Sequence, residues 1–264
     1  MKPITEHPFT PELLTSKKYF WNCKTEKELG DYYSSLKTRT TNDHDALLSV
    51  TQSNRKVFRL LSTTIPTLDG WSSLEKTCAI AGLILATKPS LCFEVGVWAG
   101  RSLFAMGVAA QEIGKCSVIG VDAYNPQVSA DKEDFQNAQW WGQQDHSIIE
   151  KKCRSLISNF GLSDITQLVV KKTDDVQPPP VINIFHCDAS HTEQATKDVE
   201  RFAPSIPLGG FAILDDLHWS QGGVMRAVDA MEDMGFEEAY RVVKHEEGVS
   251  NDWNLMQRVR CQKR

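Results

Sequence analysis

Five acidic residues stand at or just after the ends of predicted strands, where their carboxylates could do chemistry. They are Glu94, Asp122, Asp188, Asp215 and Asp216. The carboxyl ends of parallel strands line one ligand crevice, so these side chains are expected to converge on one rim. Because like charges repel there, a bound cation would stabilise the group. Asp188, Asp215 and Asp216 offer hard oxygen ligands that suit Mg²⁺, Mn²⁺ or Ca²⁺.

A simpler interpretation of the same acids needs no ligand. Asp188 could help to cap the helix that follows it, and Asp215-Asp216 could merely begin a loop. The acids alone therefore leave a metal site and a structural role open.

A glycine-bearing turn follows the first strand and precedes a helix that is predicted to begin at about Arg101. Gly96 and Gly100 allow a tight turn and a close approach of ligand to backbone amides. Trp98 occupies the middle position of the dinucleotide fingerprint, where glycine lets a pyrophosphate approach, so NAD and FAD are disfavoured. Asp122 lies about 20 residues after Gly100, as a ribose-binding carboxylate does. A ligand with a ribose but no pyrophosphate fits both facts, although a tight turn beside a surface aspartate would give the same pattern.

The segment from Glu94 to Gly100, together with Asp122, resembles motifs I and II of the class I S-adenosylmethionine-dependent methyltransferases. The resemblance implies that the glycine turn accommodates the methionine end of the cofactor and that Asp122 holds the ribose hydroxyls. The residues expected to bind the cofactor are Glu94, Gly96, Gly100, Ser102, Asp122, Asp174 and Asp188.

Two later segments, Asp188–His191 and Gly209–Asp216, resemble those of a metal-assisted group of small-molecule O-methyltransferases. That group includes macrolide-sugar and aminocoumarin-sugar enzymes and, more distantly, catechol O-methyltransferase. The resemblance implies a divalent metal, Mg²⁺ or alternatively Mn²⁺ or Ca²⁺, held by Asp188, Asp215 and Asp216, and a small-molecule hydroxyl as methyl acceptor. His191 stands where the catechol enzyme has a lysine base. A neutral imidazole could take the acceptor proton near pH 7, with Asp188 as the base if no metal binds.

Helices and short apolar strands alternate after Trp71, which is typical of an α/β fold with a parallel sheet. We expect a Rossmann-like, seven-stranded, mostly parallel sheet with helices on both faces. The fourth strand is predicted at 181–185, and the last two strands, 239–243 and 253–259, lack a crossover helix and should form an antiparallel hairpin. Residues 1–70 are predicted to be an N-terminal helical extension, and residues 71–264 the cofactor-binding domain.

The composition indicates a globular protein: of 264 residues, 41% are hydrophobic and the net charge is −5. An acidic pI of about 5.8 argues against nucleic acid as a partner. The longest apolar run is too short for a membrane span and no signal peptide is evident, so a cytoplasmic protein without a membrane partner is expected. Seven cysteines without a C-x-x-C pair indicate reduced thiols. A homodimer built on the N-terminal extension is a further expectation.

Three other functions compete with this hypothesis. A nucleotide-linked oxidoreductase would share the sheet and the ribose acid, but Trp98 counts against it. A methyltransferase could act on another acceptor atom or without metal. A cofactor-binding module that has lost catalysis would keep affinity for S-adenosylmethionine but show no turnover.

Overall fold

The computed structural model describes residues 44–219, 222–242, 245–246, 249–250 and 252–260, with side chains for 54–219, 222–242 and 252–260. Residues 1–43 of the predicted N-terminal extension lie outside the described residues. So do two of the cysteines, Cys23 and Cys261. The predicted domain boundary at residue 70 stays a prediction.

One seven-stranded sheet organises the described chain. Its strand order is β3-β2-β1-β4-β5-β9-β6, and a separate pair, β7 and β8, lies between β6 and β9 in sequence. The first five strands run parallel, whereas β9 is antiparallel to both β5 and β6. This confirms the predicted sheet and its C-terminal hairpin. The strands are β1 Leu91–Val95, β2 Ser117–Asp122, β3 Thr166–Val170, β4 Ile184–Cys187, β5 Phe211–Asp215, β6 Phe236–Val242, β7 His245–Glu246, β8 Val249–Ser250 and β9 Trp253–Arg258.

Helices cover both faces of the sheet, as predicted. One face packs against the first three long helices and α6, and the other against α7 and α8. Short 3₁₀ turns follow α1 and α7 and also lie between β3 and β4. The helices are α1 His44–Thr64, α2 Leu74–Thr87, α3 Arg101–Ile113, α4 Pro126–Ser129, α5 Phe135–Gly142, α6 His146–Asn159, α7 Glu193–Phe202 and α8 Gly223–Asp233.

Strand β4 begins three residues later than the sequence pattern predicts. Val181 is 45% exposed, and Asn183 lies outside the ladder. The amide oxygen of Asn183 accepts hydrogen bonds from the backbone N–H groups of Ser90 and Leu91, at 3.1 and 3.0 Å. This side chain ties the segment to β1 together with the backbone N–H of Asn183, which donates to the carbonyl oxygen of Leu91 at 3.0 Å. The shift extends the strand to Cys187, directly before Asp188.

The segment that leads into α2 is fixed to the body by one arginine. The guanidinium of Arg101 donates to the carbonyl oxygens of Ile65, with Nη2 at 2.7 Å, and of Gly70. Leu61 and Ile65 are fully buried in the core that α1 shares with α2 and α3. The first turn of α2 lies at the ends of β4 and β5, where the side chain of Lys76 contacts Asp188 and Asp215. Among the described helices, none has the length and apolarity to cross a lipid bilayer.

Candidate active site

The glycine turn after β1 presses against the end of β4. Gly96 has a φ of +84°, and a Cβ added to it would lie 2.1 Å from the carbonyl oxygen of Asp188. Its backbone N–H donates to the carbonyl oxygen of Val121 at 2.9 Å. A side chain therefore fits neither the conformation nor the space. Because the turn contacts the backbone of Asp188, it also fixes where that residue stands.

The carboxylate of Asp122 holds the same turn from the other side. Its Oδ2 accepts hydrogen bonds from the backbone N–H groups of Val97 and Trp98, both at 2.9 Å. Its Oδ1 accepts one from the backbone N–H of Tyr124 at 2.8 Å. Trp98 takes a φ of +50°, which is unusual for a bulky residue. These bonds use about three of the four acceptor positions of the carboxylate, which leaves about one for a ligand hydroxyl.

A cavity of about 760 Å³ opens at this end of the sheet. Its volume lies within the range of small-molecule and cofactor sites. Of the residues predicted to bind cofactor, Glu94 and Gly100 do not line it. The predicted residues that do line the cavity are Gly96, Ser102, Asp122, Asp174, Asp188, His191, Asp215 and Asp216.

Glu94 lies beneath the cavity in a fully buried pair with His186. Its Oε1 is 2.7 Å from Nδ1 of His186, and both side chains have no exposed surface. Burial raises the pKa of Glu94 well above its usual value, although a hydrogen bond with Ser102 opposes the rise. Burial, reinforced by the charge of Lys76, lowers the pKa of His186 to about 3. The imidazole is therefore neutral, and the pair joins the neighbouring strands β1 and β4.

Lys76 is the residue that sequence reasoning missed. It is fully buried, and its Nζ lies 3.3 Å from Oδ2 of Asp188 and also contacts Oδ2 of Asp215. Lys76 shares a helical stripe with Ile80 and Ile84, four and eight residues later, and both are fully buried. That spacing was visible in the sequence and marks the lysine as inward-facing.

Asp216 turns away from the other two acids. Strand β5 ends at Asp215, and Asp216 takes a φ of +55° that brings its Oδ2 to 3.0 Å from Nε2 of His191. Nδ1 of His191 lies 3.4 Å from Oε1 of Glu133. Burial lowers the pKa of His191, but the hydrogen bonds and charges of Asp216 and Glu133 outweigh it and raise the pKa to about 10. His191 therefore carries a proton at neutral pH, whereas the sequence suggested a neutral imidazole.

The structure does not bring the predicted metal ligands together as a set. The potential ligand groups that lie within 4.8 Å of one another, among the described residues, are His186, Asp188 and Asp215. Their chemistry would suit a divalent ion, but the ammonium of Lys76 already contacts both carboxylates. Asp216 is bound to His191 instead. In this arrangement the residues do not fit a divalent metal ion.

The cavity wall carries polar atoms that the protein leaves unused. Oε2 of Glu133 and Nε1 of Trp219 are buried without a hydrogen-bond partner among the described residues, and both residues line the cavity. Buried polar groups are nearly always hydrogen-bonded, so these atoms indicate a bound ligand or water. Asp174, which also lines the wall, accepts a hydrogen bond from Nε2 of Gln194 at 3.1 Å. The donor and acceptor groups of the wall thus fit a polar cofactor with a ribose.

Four tryptophans meet at the mouth of the cavity. Trp71, Trp98, Trp140 and Trp141 have ring centroids 4.9 to 6.0 Å apart. Trp71 is 53% and Trp140 39% exposed. The rings pack on one another, and the exposed Trp71 and Trp140 are among the residues that line the cavity.

Comparison with known proteins agrees with this geometry. Residues 93–217 match a family model described as a methyltransferase domain. This range contains the glycine turn and all five of the strand-end acids. No curated protein matches the sequence significantly.

Solved structures share the fold at low sequence identity. The O-methyltransferase NovP is 17% identical with a TM-score of 0.58, over 80% of this chain and 100% of that one. The O-methyltransferase TomG from Streptomyces achromogenes, in complex with SAM, is 12% identical with a TM-score of 0.52, over 90% and 99%. An O-methyltransferase from Bacillus cereus, in complex with SAH, is 13% identical with a TM-score of 0.53, over 79% and 91%. Residues 93–217 thus match a methyltransferase-domain model, and the described chain shares the fold of these O-methyltransferases, which agrees with the motifs in the sequence.

Proposed function

We propose that the protein transfers a methyl group from S-adenosylmethionine to a hydroxyl of a small molecule. One observation carries the proposal: Gly96 of the glycine turn, Asp122 at the position expected to bind ribose, and the partly exposed side chain of Asp188 line the same 760 Å³ cavity. The structural neighbours named O-methyltransferases support the choice of oxygen as acceptor atom. The expected metal is left out of the proposal because Lys76 contacts two of its three expected ligands.

The cofactor end of the cavity is assigned from three features of the wall. Gly96 brings the turn close to the ligand, Asp122 keeps one acceptor position for a ribose hydroxyl, and Asp174 lies beyond β3 on the same wall. S-adenosylmethionine, when bound, would supply a methyl group attached to a positively charged sulfur. The bond from carbon to sulfur breaks as the acceptor oxygen bonds to that carbon. The negative charge of the strand-end acids favours a cationic ligand in this crevice.

Asp188 is the group we assign as general base. Its side chain is 22% exposed, and the residue lines the cavity. A carboxylate at this position can accept the hydroxyl proton as the methyl group is transferred. His191 is already protonated between Asp216 and Glu133, so it cannot take that proton. Its role in the proposal is to hold the wall and to orient the acceptor.

The cavity volume of about 760 Å³ lies in the range of small-molecule sites and supports a small acceptor. The exposed faces of Trp71 and Trp140 can stack on a planar ring or on the apolar face of a sugar. His191 and Glu133 offer polar contacts deeper in the cavity. We therefore propose sugar and phenol hydroxyls as the first acceptor classes to test.

The first experiment is a calorimetric titration of the full-length protein with S-adenosylmethionine and S-adenosylhomocysteine, in chelator and in Mg²⁺. Micromolar binding of both is expected. A screen of sugar and phenol acceptors then follows S-adenosylhomocysteine formation, with Asp188→Asn as the matched variant that binds cofactor without turning over.

Two outcomes would argue against the proposed function. Absence of binding heat at several temperatures would remove the methyltransferase assignment. Tight cofactor binding without turnover on any hydroxyl would favour the binding module. Size-exclusion chromatography with light scattering on the same sample would test the proposed homodimer.

A further inference from the structure

We propose that Lys76 serves as a built-in cation at the position where the metal was expected, so that this site works without a divalent ion. The proposal rests on the proposed methyl-transfer function, which it deepens by naming the residue that positions Asp188. Lys76 does not line the cavity, so it is a positioning residue rather than a catalytic one.

The contacts of Lys76 are those of an ion held between two acids. Its Nζ contacts Oδ2 of Asp215 and lies 3.3 Å from Oδ2 of Asp188, and its side chain is 1% exposed. Asp188 and Asp215 keep 22% and 11% of their side-chain surface exposed. The lysine therefore contacts the acids from the protein side, and the cavity lies on their other side.

The placement of this lysine is unfavourable for its helix. Ser73 is the N-cap of α2 and accepts a hydrogen bond from the backbone N–H of Lys76 at 3.1 Å, so Lys76 stands in the first turn. A cation is disfavoured at a helix N-terminus because the helix dipole is positive there. Complete burial of an ammonium is costly as well. The two carboxylates must therefore compensate the charge, and Lys76 in turn compensates theirs.

A divalent ion would compete directly with this ammonium. An ion held by Asp188 and Asp215 would stand within a few ångströms of Nζ, and the two positive charges would repel each other in a buried setting. The nearby His186 side chain is an imidazole, which carries no negative charge that could offset this repulsion. One ammonium for two carboxylates leaves one net negative charge at the base of the cavity.

The consequence for the reaction concerns Asp188. The contact with Lys76 occupies Oδ2 of Asp188, so the orientation of this carboxylate is fixed and its remaining oxygen is available to the acceptor hydroxyl. A metal-assisted enzyme would orient the acceptor through the ion. Here the carboxylate itself must receive the proton.

The test measures Mn²⁺ binding to the chelator-stripped, full-length protein by electron paramagnetic resonance and by thermal unfolding. The wild-type protein is expected to bind Mn²⁺ weakly, in the millimolar range, with no change in Tm. Lys76→Met removes the ammonium at similar side-chain volume. We expect this variant to melt at a lower temperature in chelator, to recover stability when Mn²⁺ is added, and to bind Mn²⁺ about tenfold or more tightly than wild type.

Three further variants separate this role from a purely structural one. Lys76→Arg keeps the charge and should bind Mn²⁺ as weakly as wild type. Lys76→Met combined with Asp188→Asn should lose the gained Mn²⁺ affinity. Lys56→Met removes an exposed lysine that pairs with Glu112 and should change neither measurement.

Tight Mn²⁺ binding by the wild-type protein that is lost in Asp215→Asn would overturn the inference, even if Lys76→Met failed to fold. Lys76→Met that folds but gains no Mn²⁺ affinity would overturn it too. These results are independent of calorimetric S-adenosylmethionine binding, whose absence would remove the proposed function alone. Once an acceptor is known, the wild-type rate should be unchanged in chelator.

Discussion

The imidazole of His191 stacks on the indole of Trp219, with ring centroids 4.1 Å apart and an angle of 24° between the planes. The same imidazole lies between the carboxylates of Asp216 and Glu133, at 3.0 and 3.4 Å. An imidazolium fits this setting better than a neutral ring, since both neighbouring carboxylates and the aromatic face favour a cation. His191 is thus a fixed positive charge in the cavity wall, and proton transfer falls to another group.

The first prediction compares Asp188→Asn with His191→Gln. Asp188→Asn should lower turnover by about two orders of magnitude or more, because it removes the group that accepts the proton. Its affinity for S-adenosylmethionine should change only a few-fold. His191→Gln should slow the reaction less than Asp188→Asn does, because it leaves the proton-accepting carboxylate in place. Both are measured as S-adenosylhomocysteine formation at saturating cofactor, with thermal unfolding as the folding control.

A reversed result would reassign the base. If His191→Gln lowered turnover far more than Asp188→Asn did, the imidazole would have to be neutral in the working enzyme and take the proton itself. The raised pKa of His191 would then not apply to the complex with cofactor and acceptor.

The second prediction concerns Asp122. Asp122→Ala removes the acceptor of three backbone hydrogen bonds, from Val97, Trp98 and Tyr124. It should destabilise the fold by about 1–3 kcal/mol and weaken S-adenosylmethionine binding by about tenfold or more. Urea unfolding and calorimetry measure the two effects.

The matched control for Asp122 is Asp164→Ala. Asp164 is an exposed aspartate in a groove at the opposite end of β3. It should leave both quantities nearly unchanged. Loss of stability in Asp122→Ala without loss of affinity would show that the carboxylate only supports the turn.

Much of the fold around the cavity could be predicted from the sequence, because the patterns that indicate its strands, turns and helices are local. A strand, a turn with Gly96 and Gly100 and a helix are read from neighbouring residues, and parallel strands bring their ends to one edge. Gly96, Asp122 and Asp188 therefore line one cavity, as expected. The strand pattern also predicts the antiparallel end of the sheet, because no helix separates the last two strands.

The contacts between the buried charged side chains of the site could not be predicted in the same way. Lys76 is 112 residues from Asp188 and 139 from Asp215, so their contact depends on how α2 is rotated over the sheet. Glu133 reaches His191 from the long segment after β2, and the two residues are 58 positions apart in the chain. Asp215 contacts Lys76 whereas Asp216 contacts His191, because Asp216 takes a left-handed backbone conformation directly after β5. Such details depend on packing between distant elements rather than on local pattern.

The third prediction tests the contact between the glycine turn and β4. Gly96→Ala and Gly114→Ala both place a side chain at positive φ, +84° and +72°, but only the first would clash, with a Cβ 2.1 Å from the Asp188 carbonyl oxygen. Gly114→Ala should cost roughly 1–2 kcal/mol of stability from backbone strain alone. Gly96→Ala should cost about 3 kcal/mol or more beyond that. Equal costs in urea unfolding would mean that the turn does not press on Asp188.

The fourth prediction is a pH dependence of stability that arises from Asp198. Burial raises the pKa of this carboxyl from 3.8 to about 6, against hydrogen bonds from Thr173 and Gln194 that lower it. The folded state therefore holds the proton more tightly than the unfolded state, and stability falls as pH rises from about 4 to 6. Asp198→Asn removes the ionisation, so it should stabilise the protein by up to about 3 kcal/mol above pH 6 and change little near pH 4. Urea unfolding at both pH values measures this, with the exposed Asp229→Asn expected to have little effect at either. An equal loss of stability in Asp198→Asn at both pH values would show that the Asp198 carboxyl is held by its hydrogen bonds as the anion.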